Sequence, residues 1–468
     1  MLKGARPART GAAHAALVVL DAAIETPKGE PAPDPAGDPA AADADLARRE
    51  AEYEKFVWDN LRRNYLGNYL HGMLGMTGFR LVNAPTFLPA YLHMLSGSNT
   101  IVGLGLALQQ LGGVIAPIFA GSQVEHRKKV MPAAMWMGGL GRVAILAMAL
   151  CGWFLKGQTL VWSLLFFIAM FGLFMGAQRV VFSLLMAKVI PLSRRGRLQA
   201  WRNFTGGAIA AVLAYYAGKY FIGKNLFGNG YSTTFVFAFV LTSLGLSALQ
   251  MLLREPEPPT TRARAPFLNR LREFPQLIHQ DRGYGFFLLV QMLATSARIA
   301  TPFYILFVGR HMHLDGPLLG KLSLFFLGAD TLSNLLWGNL GDKTGFRLVL
   351  LISIVTWTAA TILLLEVHTL PSIFAAFFGL GASQAGYMMG AQTMILEFGH
   401  RDDLPMRIAV SATAESITAT AGPLIGGWMS DVFGYGIVFG ASAGMLVAAL
   451  IILVVAVKEP RTARLAAL

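Results

Sequence analysis

Runs of about 20 predominantly apolar residues recur along this chain from Leu66 to Val457. A helix needs about that length to cross the hydrocarbon core of a bilayer. In lipid only helices and closed barrels satisfy all of their backbone polar groups, and the alternating pattern of a barrel is absent from this sequence. The composition agrees, because 54% of the residues are hydrophobic and only 14% are charged. The sequence therefore predicts an all-α integral membrane protein.

Twelve such runs can be counted, with ends defined to within several residues. The predicted spans cover residues 66–94, 98–121, 130–155, 159–186, 200–222, 232–253, 284–309, 316–338, 347–368, 371–396, 407–430 and 434–457. Lys and Arg concentrate in every second loop and at both ends of the spanning part, which is typical of cytoplasmic segments. We therefore expect a multi-pass protein of the cytoplasmic (inner) membrane with both termini in the cytoplasm. The net charge of +13 is dispersed over separate loops, which argues against nucleic-acid binding.

The segments outside the spans suggest a domain division. Residues 1–63 are predicted to be a disordered cytoplasmic tail that ends in a short interfacial helix from about Leu46, because the first 44 residues are rich in Ala, Pro and Asp. A linker rich in proline and charge separates two groups of six spans. The predicted divisions are an N-terminal six-helix bundle at 64–254, a cytoplasmic linker at 255–282, a C-terminal six-helix bundle at 283–457 and a cytoplasmic tail at 458–468.

The two groups of spans also look like copies of each other. Three pairs of landmarks recur at nearly constant offsets of 218, 217 and 210 residues. These pairs are Arg80 with Arg298, Glu125 with Asp342, and Arg197 with Arg407. An internal repeat of six spans explains such offsets better than chance does.

The turn after the eighth span carries a recognisable motif. Residues 338–347 read Gly-Asn-Leu-Gly-Asp-Lys-Thr-Gly-Phe-Arg. This turn resembles the G-x-x-x-D-x-x-G-x-R loop of the major facilitator superfamily, and the counterpart at residues 121–129 is a degraded version. The resemblance covers about residues 64–457. It implies that superfamily's fold, twelve transmembrane helices in two pseudo-symmetric six-helix bundles, with a site near the membrane midplane.

In the superfamily this loop forms a latch at the cytoplasmic face. The latch residues implied here are Gly338, Asp342, Gly345, Arg347 and, with Glu in place of Asp, Glu125. Arg179, toward the cytoplasmic end of the fourth span, is expected to join this network. The resemblance also implies a secondary active transporter that works by alternating access. An enzyme is not expected, because the sequence shows no nucleophile–base set and no nucleotide-binding loop.

Two arginines lie near the middle of predicted spans. Arg80 and Arg298 come about 15 and 14 residues into the first and seventh spans. A cation at this depth costs at least about 2.5–3.5 kcal/mol, and the planar guanidinium matches a carboxylate or a phosphate. Transporters of the superfamily that exchange organic phosphates are similar, in that one arginine on each of these spans holds the substrate. We expect a small anionic solute that carries a carboxylate or a phosphate, and transport that is coupled to protons or to exchange. The open alternative is that each arginine pairs with a fixed carboxylate.

Other polar residues in the spans are candidates for the same site. Asp330 and Glu415 could load and release a proton, and a neighbouring arginine would couple proton uptake to anion binding. The alternative for each acid is a permanent ion pair. Further candidates for substrate binding are Thr77, Asn83, Gln291, Thr295 and Tyr387, for which helix–helix hydrogen bonds are the alternative.

Two other functions stay open at this point. One is a proton-driven exporter of amphiphilic, drug-like compounds, and the other is an assembly factor or sensor that keeps the fold without transport. Cys151 is the only cysteine and no Cys/His spacing suggests a metal site, so no metal or other cofactor is expected. The expected partners are the solute, protons and membrane lipids, and we expect a monomer.

Overall fold

A computed structural model describes residues 39–124, 127–258, 282–366, 369–398, 404–457 and 459. Within these residues every regular element is a helix and no β-strand is present. An N-terminal helix, Pro39–Asp59, precedes the spans and begins earlier than the Leu46 expected from the sequence. Ion pairs between successive turns stabilise it, such as the 2.6 Å contact of Arg49 with Asp45. From Tyr53 onward the chain forms one compact unit.

We label the twelve spans α1 to α12 in chain order. They are α1 (Leu61–Val82, continued by Phe87–Ser96), α2 (Asn99–Val124), α3 (Met131–Phe154), α4 (Gly157–Val189), α5 (Leu192–Tyr216), α6 (Gly230–Leu252), α7 (Arg282–Ser296, continued to His311), α8 (Gly316–Thr344), α9 (Phe346–Glu366), α10 (Leu370–Ile395), α11 (Leu404–Phe433) and α12 (Tyr435–Val455). A π-helical turn, Ala217–Ile222, extends α5, and a 3-10 turn, Leu226–Gly228, precedes α6. We call α1–α6 the N-terminal half and α7–α12 the C-terminal half.

Seven of the described helices are long and apolar enough to be recognised as spans from composition alone. They are α2, α3, α4, α6, α7, α9 and α12. The other spans carry more polar residues or a break, and α1 and α8 contain Arg80 and Asp330. Because α1 packs against α5 and α6, and α8 against α5 and α10, much of their polar surface faces protein instead of lipid.

The first and seventh spans are both interrupted near their middle. In α1 the break falls at residues 83–86 and includes Pro85, and in α7 a 3-10 segment, Ala297–Phe303, contains Pro302. Proline lacks a backbone N–H, so each of these prolines removes a bond from the helical ladder. In α7 the hydroxyl of Ser442 donates to the Ala297 carbonyl at 2.7 Å. The breaks place Arg80 and Arg298 beside irregular backbone.

Both ends of the spanning unit lie on one side of the bundle, which we call the terminal side. The guanidinium of Arg63, at the start of α1, donates to the Leu252 carbonyl at the end of α6 at 2.8 Å. Asn64 exchanges two hydrogen bonds with the backbone of Arg254. In the C-terminal half the start of α9 meets the end of α12 in the same way, through Arg347. We call the opposite side the far side.

On the far side the two halves are in close contact. The Asp431 carboxylate, at the end of α11, accepts hydrogen bonds from the backbone N–H groups of Asn99 and Thr100 and so caps the first turn of α2. Its second oxygen also accepts from the hydroxyls of Ser98 and Thr100. A Cβ on Gly103 would collide with the backbone carbonyl of Pro423, so the helices α2 and α11 touch through their backbones. The far side is therefore closed in this conformation.

Candidate functional site

Between the halves, the described residues enclose two adjoining cavities of about 350 and 450 Å³. The two cavities share lining residues from both halves, so we treat them as one chamber. The shared residues are Gln110, Gly113, Arg179, Arg298 and Ala419. The smaller cavity reaches the break in α1, and the larger one reaches the terminal-side ends of α10 and α11. The chamber thus lies on the terminal side of the closed contacts, and its size suits a small solute.

Arg298 faces this chamber. It lies in the 3-10 segment of α7, is half-buried and lines both cavities. Within the described part of the chain its guanidinium has no hydrogen bond or ion pair. Arg179, on α4 of the other half, also lines both cavities and likewise has no side-chain bond to a described residue. The chamber thus presents two guanidiniums from opposite halves.

Arg80 occupies a different environment. Its Nη1 lies 2.6 Å from Oδ2 of Asp330 and donates to the Thr331 hydroxyl at 3.2 Å. The side chains of Arg80 and Asp330 are only 20% and 21% exposed. Neither belongs to the described lining of the two cavities. The two arginines that the repeat aligns are therefore unequal, since one is neutralised by a carboxylate and the other faces the chamber.

The repeat itself accounts for this difference. The offset of 217 residues between α2 and α8 aligns Asp330 with Gly113. Gly113 lines the chamber together with Arg298, and a Cβ built on Gly113 would meet no atom within 4 Å. The C-terminal half thus supplies the Asp330 carboxylate to Arg80. At the corresponding position the N-terminal half has a glycine with open space around it, in the chamber that Arg298 faces.

Glu415 also reaches the chamber, through the larger cavity. The Gln291 amide, which lines the same cavity, donates to its Oε2 at 3.4 Å. The Ser411 hydroxyl in turn donates to Oε1 of Gln291. Glu415 thus sits at the end of a short polar network and has no ion pair with a described residue. Within the described residues no group of three or more His, Cys, Asp or Glu side chains could hold a metal ion.

The structure separates the remaining predicted residues into two groups. Asn83 and Thr295 line the smaller cavity, where Asn83 accepts a hydrogen bond from Gln109. Tyr387 is buried behind Thr295, with the two hydroxyls 3.0 Å apart. Thr77 is also buried, and its hydroxyl donates to the Gly206 carbonyl at 3.2 Å between α1 and α5. Thr77 and Tyr387 therefore form helix–helix contacts here, as Arg80 and Asp330 do.

Several neutral side chains of the chamber were not selected as leading candidates from the sequence. They are Gln109, Gln110, Thr301, Gln384, Gln392 and Ser416. Part of the signal was present on α4, where Gly172, Gly176 and Arg179 share one face at helical spacing. All three residues line the smaller cavity, and Gly172 also lets α4 approach the backbone of α2, since a Cβ there would collide with the Gln109 carbonyl oxygen. Arg179 thus belongs to the chamber wall, which differs from its expected place in the latch network.

The predicted latch loop lies on the terminal side. Gly345 has φ +92°, a backbone conformation that other residues rarely adopt, so the turn favours glycine. A Cβ there would also lie 2.5 Å from the Glu459 carboxyl group, which would have to shift. The backbone N–H of Arg347 donates to Glu459 at 3.2 Å, and its guanidinium donates to the Val454 carbonyl at 3.0 Å. Gly338 and Asp342 lie in the last turns of α8. Glu125 lies outside the described residues.

A similar cap, which was not expected from the sequence, lies in the N-terminal half. The Glu255 carboxylate accepts hydrogen bonds from the N–H groups of Val130 and Met131 at 2.7 and 2.8 Å, at the start of α3. It also pairs with Lys188 at 3.1 Å, and both side chains are largely buried. The signal was a repeat just after the sixth and twelfth spans, Arg254-Glu255-Pro256 and Lys458-Glu459-Pro460.

Comparison with known proteins agrees with this architecture. The profile of the Major Facilitator Superfamily matches residues 70–315 and 286–467, two overlapping stretches that together cover both halves. The chain belongs to the Major Facilitator Superfamily. The predicted superfamily and its twelve-span, all-α membrane fold are thereby confirmed. The chain is thus a multi-pass membrane protein with the fold of transporters, and it belongs to a transporter superfamily and not to an enzyme family.

Solved structures of other superfamily members resemble the chain in fold. The nucleoside transporter NupG has a TM-score of 0.65 at 11% identity, over 84% of this chain and 98% of its own. A D-xylose-proton symporter has a TM-score of 0.60 at 16% identity, over 85% and 97%. A bacterial homolog of the human lysosomal transporter Spinster has 0.59 at 15%, over 87% and 96%. No curated protein matches the chain in sequence.

Proposed function

We propose that this superfamily member is a secondary active transporter of a small anionic solute, which binds between Arg298 and Arg179. The observation that carries the proposal is the position of Arg298, which lines both cavities without an ion-pair partner in the described chain. A guanidinium in such a place offers two parallel donors to a carboxylate or a phosphate. Arg179 supplies a second positive group from the opposite half.

The charges of the chamber favour an anion. Two guanidiniums face it, and among the described residues that line it only Glu415 is acidic. Asp330 does not offset them, because it is paired with Arg80. A cleft lined by one sign of charge between low-dielectric walls concentrates ions of the opposite sign. Because the arginines belong to opposite halves, an anion between them would join the halves, as alternating access requires.

Glu415 is the group we propose for proton coupling. It lines the same chamber as the two arginines, and its hydrogen bond from Gln291 is long. Protonation of Glu415 would leave the chamber more positive and so strengthen anion binding, which links proton and anion movement in one direction. For Asp330 we propose a gating role instead, since it could take up a proton only after its contact with Arg80 is broken. We expect the terminal side to face the cytoplasm, so the chamber would open inward.

A second candidate substrate class is a neutral polar solute. The observation that favours it is the number of amide side chains that line the chamber, among them Gln109, Gln110 and Gln384. Amides of this kind hydrogen-bond to hydroxyl groups and to heterocycles. Proteins of similar fold include a nucleoside transporter and a D-xylose-proton symporter. In this alternative the arginines would orient a polar solute without neutralising a charge.

Flux measurements in proteoliposomes that contain the full chain separate these candidates. We expect uptake of dicarboxylates or phosphate monoesters to exceed that of nucleosides and pentoses, and to rise when the side of uptake is acidified. Arg298→Ala and Arg179→Ala should each lower the anion flux at least about tenfold, since each removes a charged hydrogen-bond partner. Arg282→Ala is the matched control, because Arg282 is exposed at the start of the same span.

Each contrary outcome points to a different function. Wild-type anion flux in both arginine variants would overturn the anion site. Flux of neutral solutes alone would favour the second candidate. Preference for lipophilic cations that survives loss of either arginine would favour an exporter of amphiphilic compounds. Binding without any turnover would favour a sensor or an assembly factor.

A further inference from the structure

A groove of about 550 Å³ lies outside the chamber, on the surface of the N-terminal half between the starts of α1 and α5. Three arginines line it: Arg62 from α1, and Arg194 and Arg197 from α5. None of the three makes a side-chain hydrogen bond or an ion pair with a described residue. No described acidic residue lines the groove either. The groove is therefore a concentration of uncompensated positive charge.

The other walls of the groove are apolar and aromatic. They include Leu66 and Trp201, which are 47% and 50% exposed, together with Tyr69. Exposed side chains of this kind are costly in water but are normal where a protein meets lipid. The Tyr69 hydroxyl donates to Thr205 at 3.3 Å, which joins α1 to α5 at the inner part of the groove. The groove thus has a fixed floor and an open outer face.

The charged and apolar parts lie at different depths. Arg62 and Arg197 stand near the terminal-side ends of their helices, where the spans leave the membrane. Trp201 lies about 6 Å deeper along α5 than Arg197, and Tyr69 about 10 Å deeper along α1 than Arg62, at 1.5 Å per residue. Cationic groups at the membrane boundary and aromatic groups one to two turns inside match the two ends of a phospholipid. A free phosphate has no apolar group that could contact the apolar part of the groove.

We propose that this groove binds an anionic phospholipid of the terminal-side leaflet. The three guanidiniums hold the headgroup phosphate, and Leu66, Tyr69 and Trp201 contact the upper part of the acyl chains. The proposal is independent of the transported solute, because none of these residues lines the chamber.

Retention of lipid by the purified full-length protein tests the proposal. The protein is delipidated in a neutral detergent and titrated with phosphatidylglycerol, phosphatidylcholine or glycerol 3-phosphate, and the bound molecules are counted by native mass spectrometry. We expect preferential retention of phosphatidylglycerol. The double variant Arg194→Gln/Arg197→Gln should lower its apparent affinity about tenfold or more, since each guanidinium at a membrane surface contributes separately to anionic-lipid binding.

The matched control removes two charges from the same side of the membrane but outside the groove. Lys128→Gln/Lys343→Gln fits this purpose, because both lysines are exposed on the terminal side. It should retain phosphatidylglycerol as the wild type does. Arg194→Lys/Arg197→Lys keeps the charge and should remain within about threefold of the wild type, since Lys and Arg contribute similarly to attraction to an anionic membrane surface. This variant guards against a folding defect. Trp201→Ala should weaken the binding of phosphatidylglycerol without altering the preference for its headgroup.

Three outcomes would overturn the proposal. The first is equal retention of phosphatidylcholine and phosphatidylglycerol. The second is an equal loss of phosphatidylglycerol retention in the two glutamine double variants, Arg194→Gln/Arg197→Gln and Lys128→Gln/Lys343→Gln. Retention would then depend only on the overall positive charge of this surface. The third is competition by glycerol 3-phosphate at concentrations similar to those of the lipid, which would make the groove a site for soluble phosphates.

Discussion

The guanidinium of Arg80 and the carboxylate of Asp330 form an ion pair at 2.6 Å that joins α1 of the N-terminal half to α8 of the C-terminal half. Both side chains are about four-fifths buried, so each lowers the cost of holding the other's charge away from water. The Thr331 hydroxyl accepts a further hydrogen bond from the same guanidinium nitrogen. The pair thus links the halves in this conformation. It also occupies the Arg80 guanidinium, which is then not available to an anionic solute.

Removal of one partner of this pair should destabilise the protein more than removal of both. Arg80→Gln and Asp330→Asn each leave an uncompensated charge in a mostly buried site, whereas the double variant leaves none. We expect a coupling energy of about 0.5–3 kcal/mol in a double-mutant cycle measured by thermal unfolding in detergent. Arg48→Gln on the N-terminal helix is the control, since its pairs are exposed and contribute little. Additive effects at Arg80 and Asp330 would contradict the pairing.

The Asp431 cap on α2 should control access from the far side. Asp431→Ala removes four hydrogen bonds across the halves, and the loss of a helix cap costs about 0.5–2 kcal/mol. We expect a cysteine at the chamber residue Thr301, in a Cys151→Ala background, to react about two- to thirtyfold faster with an impermeant maleimide added to the far side.

The control for this experiment is Asp315→Ala. Asp315 caps α8 through the Leu318 N–H at 2.8 Å, but both residues belong to the same half. Its loss should weaken that helix end without changing labelling from the far side. Equal labelling rates in the two aspartate variants would show that the contact between Asp431 and α2 does not hold the far side closed.

Two glutamates that follow α6 should differ in their contribution to stability. Glu255 pairs with Lys188 and caps α3, with side-chain exposures of 5% for Glu255 and 12% for Lys188, while Glu257 pairs with Lys129 at the surface. Glu255→Gln should therefore lower the midpoint of thermal unfolding clearly, because it leaves a buried ammonium without its partner. Glu257→Gln should leave it almost unchanged. A similar midpoint for both variants would mean that the buried pair contributes no more than the exposed one.

The fold was predictable because its signals are local. Lengths of apolar segments, the distribution of Lys and Arg, and the loop at residues 338–347 each lie within short stretches, and together they predict a twelve-span member of the superfamily. The breaks in α1 and α7 were foreseeable from Pro85 and Pro302, since proline acts on its own helix. Helix ends were less accurate. The fifth span begins at Leu192 instead of 200, because its arginine-rich first turns are too polar to be recognised as helix by hydropathy.

The site was only partly predictable, because its key contact joins distant residues. Arg80 and Arg298 are equivalent along the chain, and their local sequences do not show which one is neutralised. The difference depends on whether the facing span supplies an acid. Asp330 on α8 pairs with Arg80, whereas the corresponding residue of α2, in the chamber that Arg298 faces, is Gly113. Alignment of the two halves at the offset of 217 residues contains this information. The membership of Arg179 in the chamber wall depends on helix packing and could not be obtained in that way.

Arg298 is available to a solute, in our proposal, because α2 supplies no acidic residue to pair with it. An acidic residue introduced there should therefore block anion binding. Gly113→Asp places a carboxylate on α2 at the position that corresponds to Asp330, and the space around Gly113 admits a side chain. We expect it to pair with Arg298 and to lower anion flux in proteoliposomes at least about tenfold, as competition for the same guanidinium requires. The thermal unfolding midpoint should stay the same or rise, since the new pair links the halves.

Gly113→Asn separates the effect of charge from that of volume, because Asn has nearly the same size and helix propensity as Asp. It should keep at least about a third of the wild-type flux, since it offers Arg298 only a neutral acceptor and leaves the guanidinium charge available. Relative to the wild type at the same pH, flux in the Asp variant should also recover in part at low pH, where protonation of the new carboxylate releases Arg298. Equal flux in the Asp and Asn variants at all pH values would mean that the anion does not depend on Arg298, and the site would then have to be sought among the amides of the chamber.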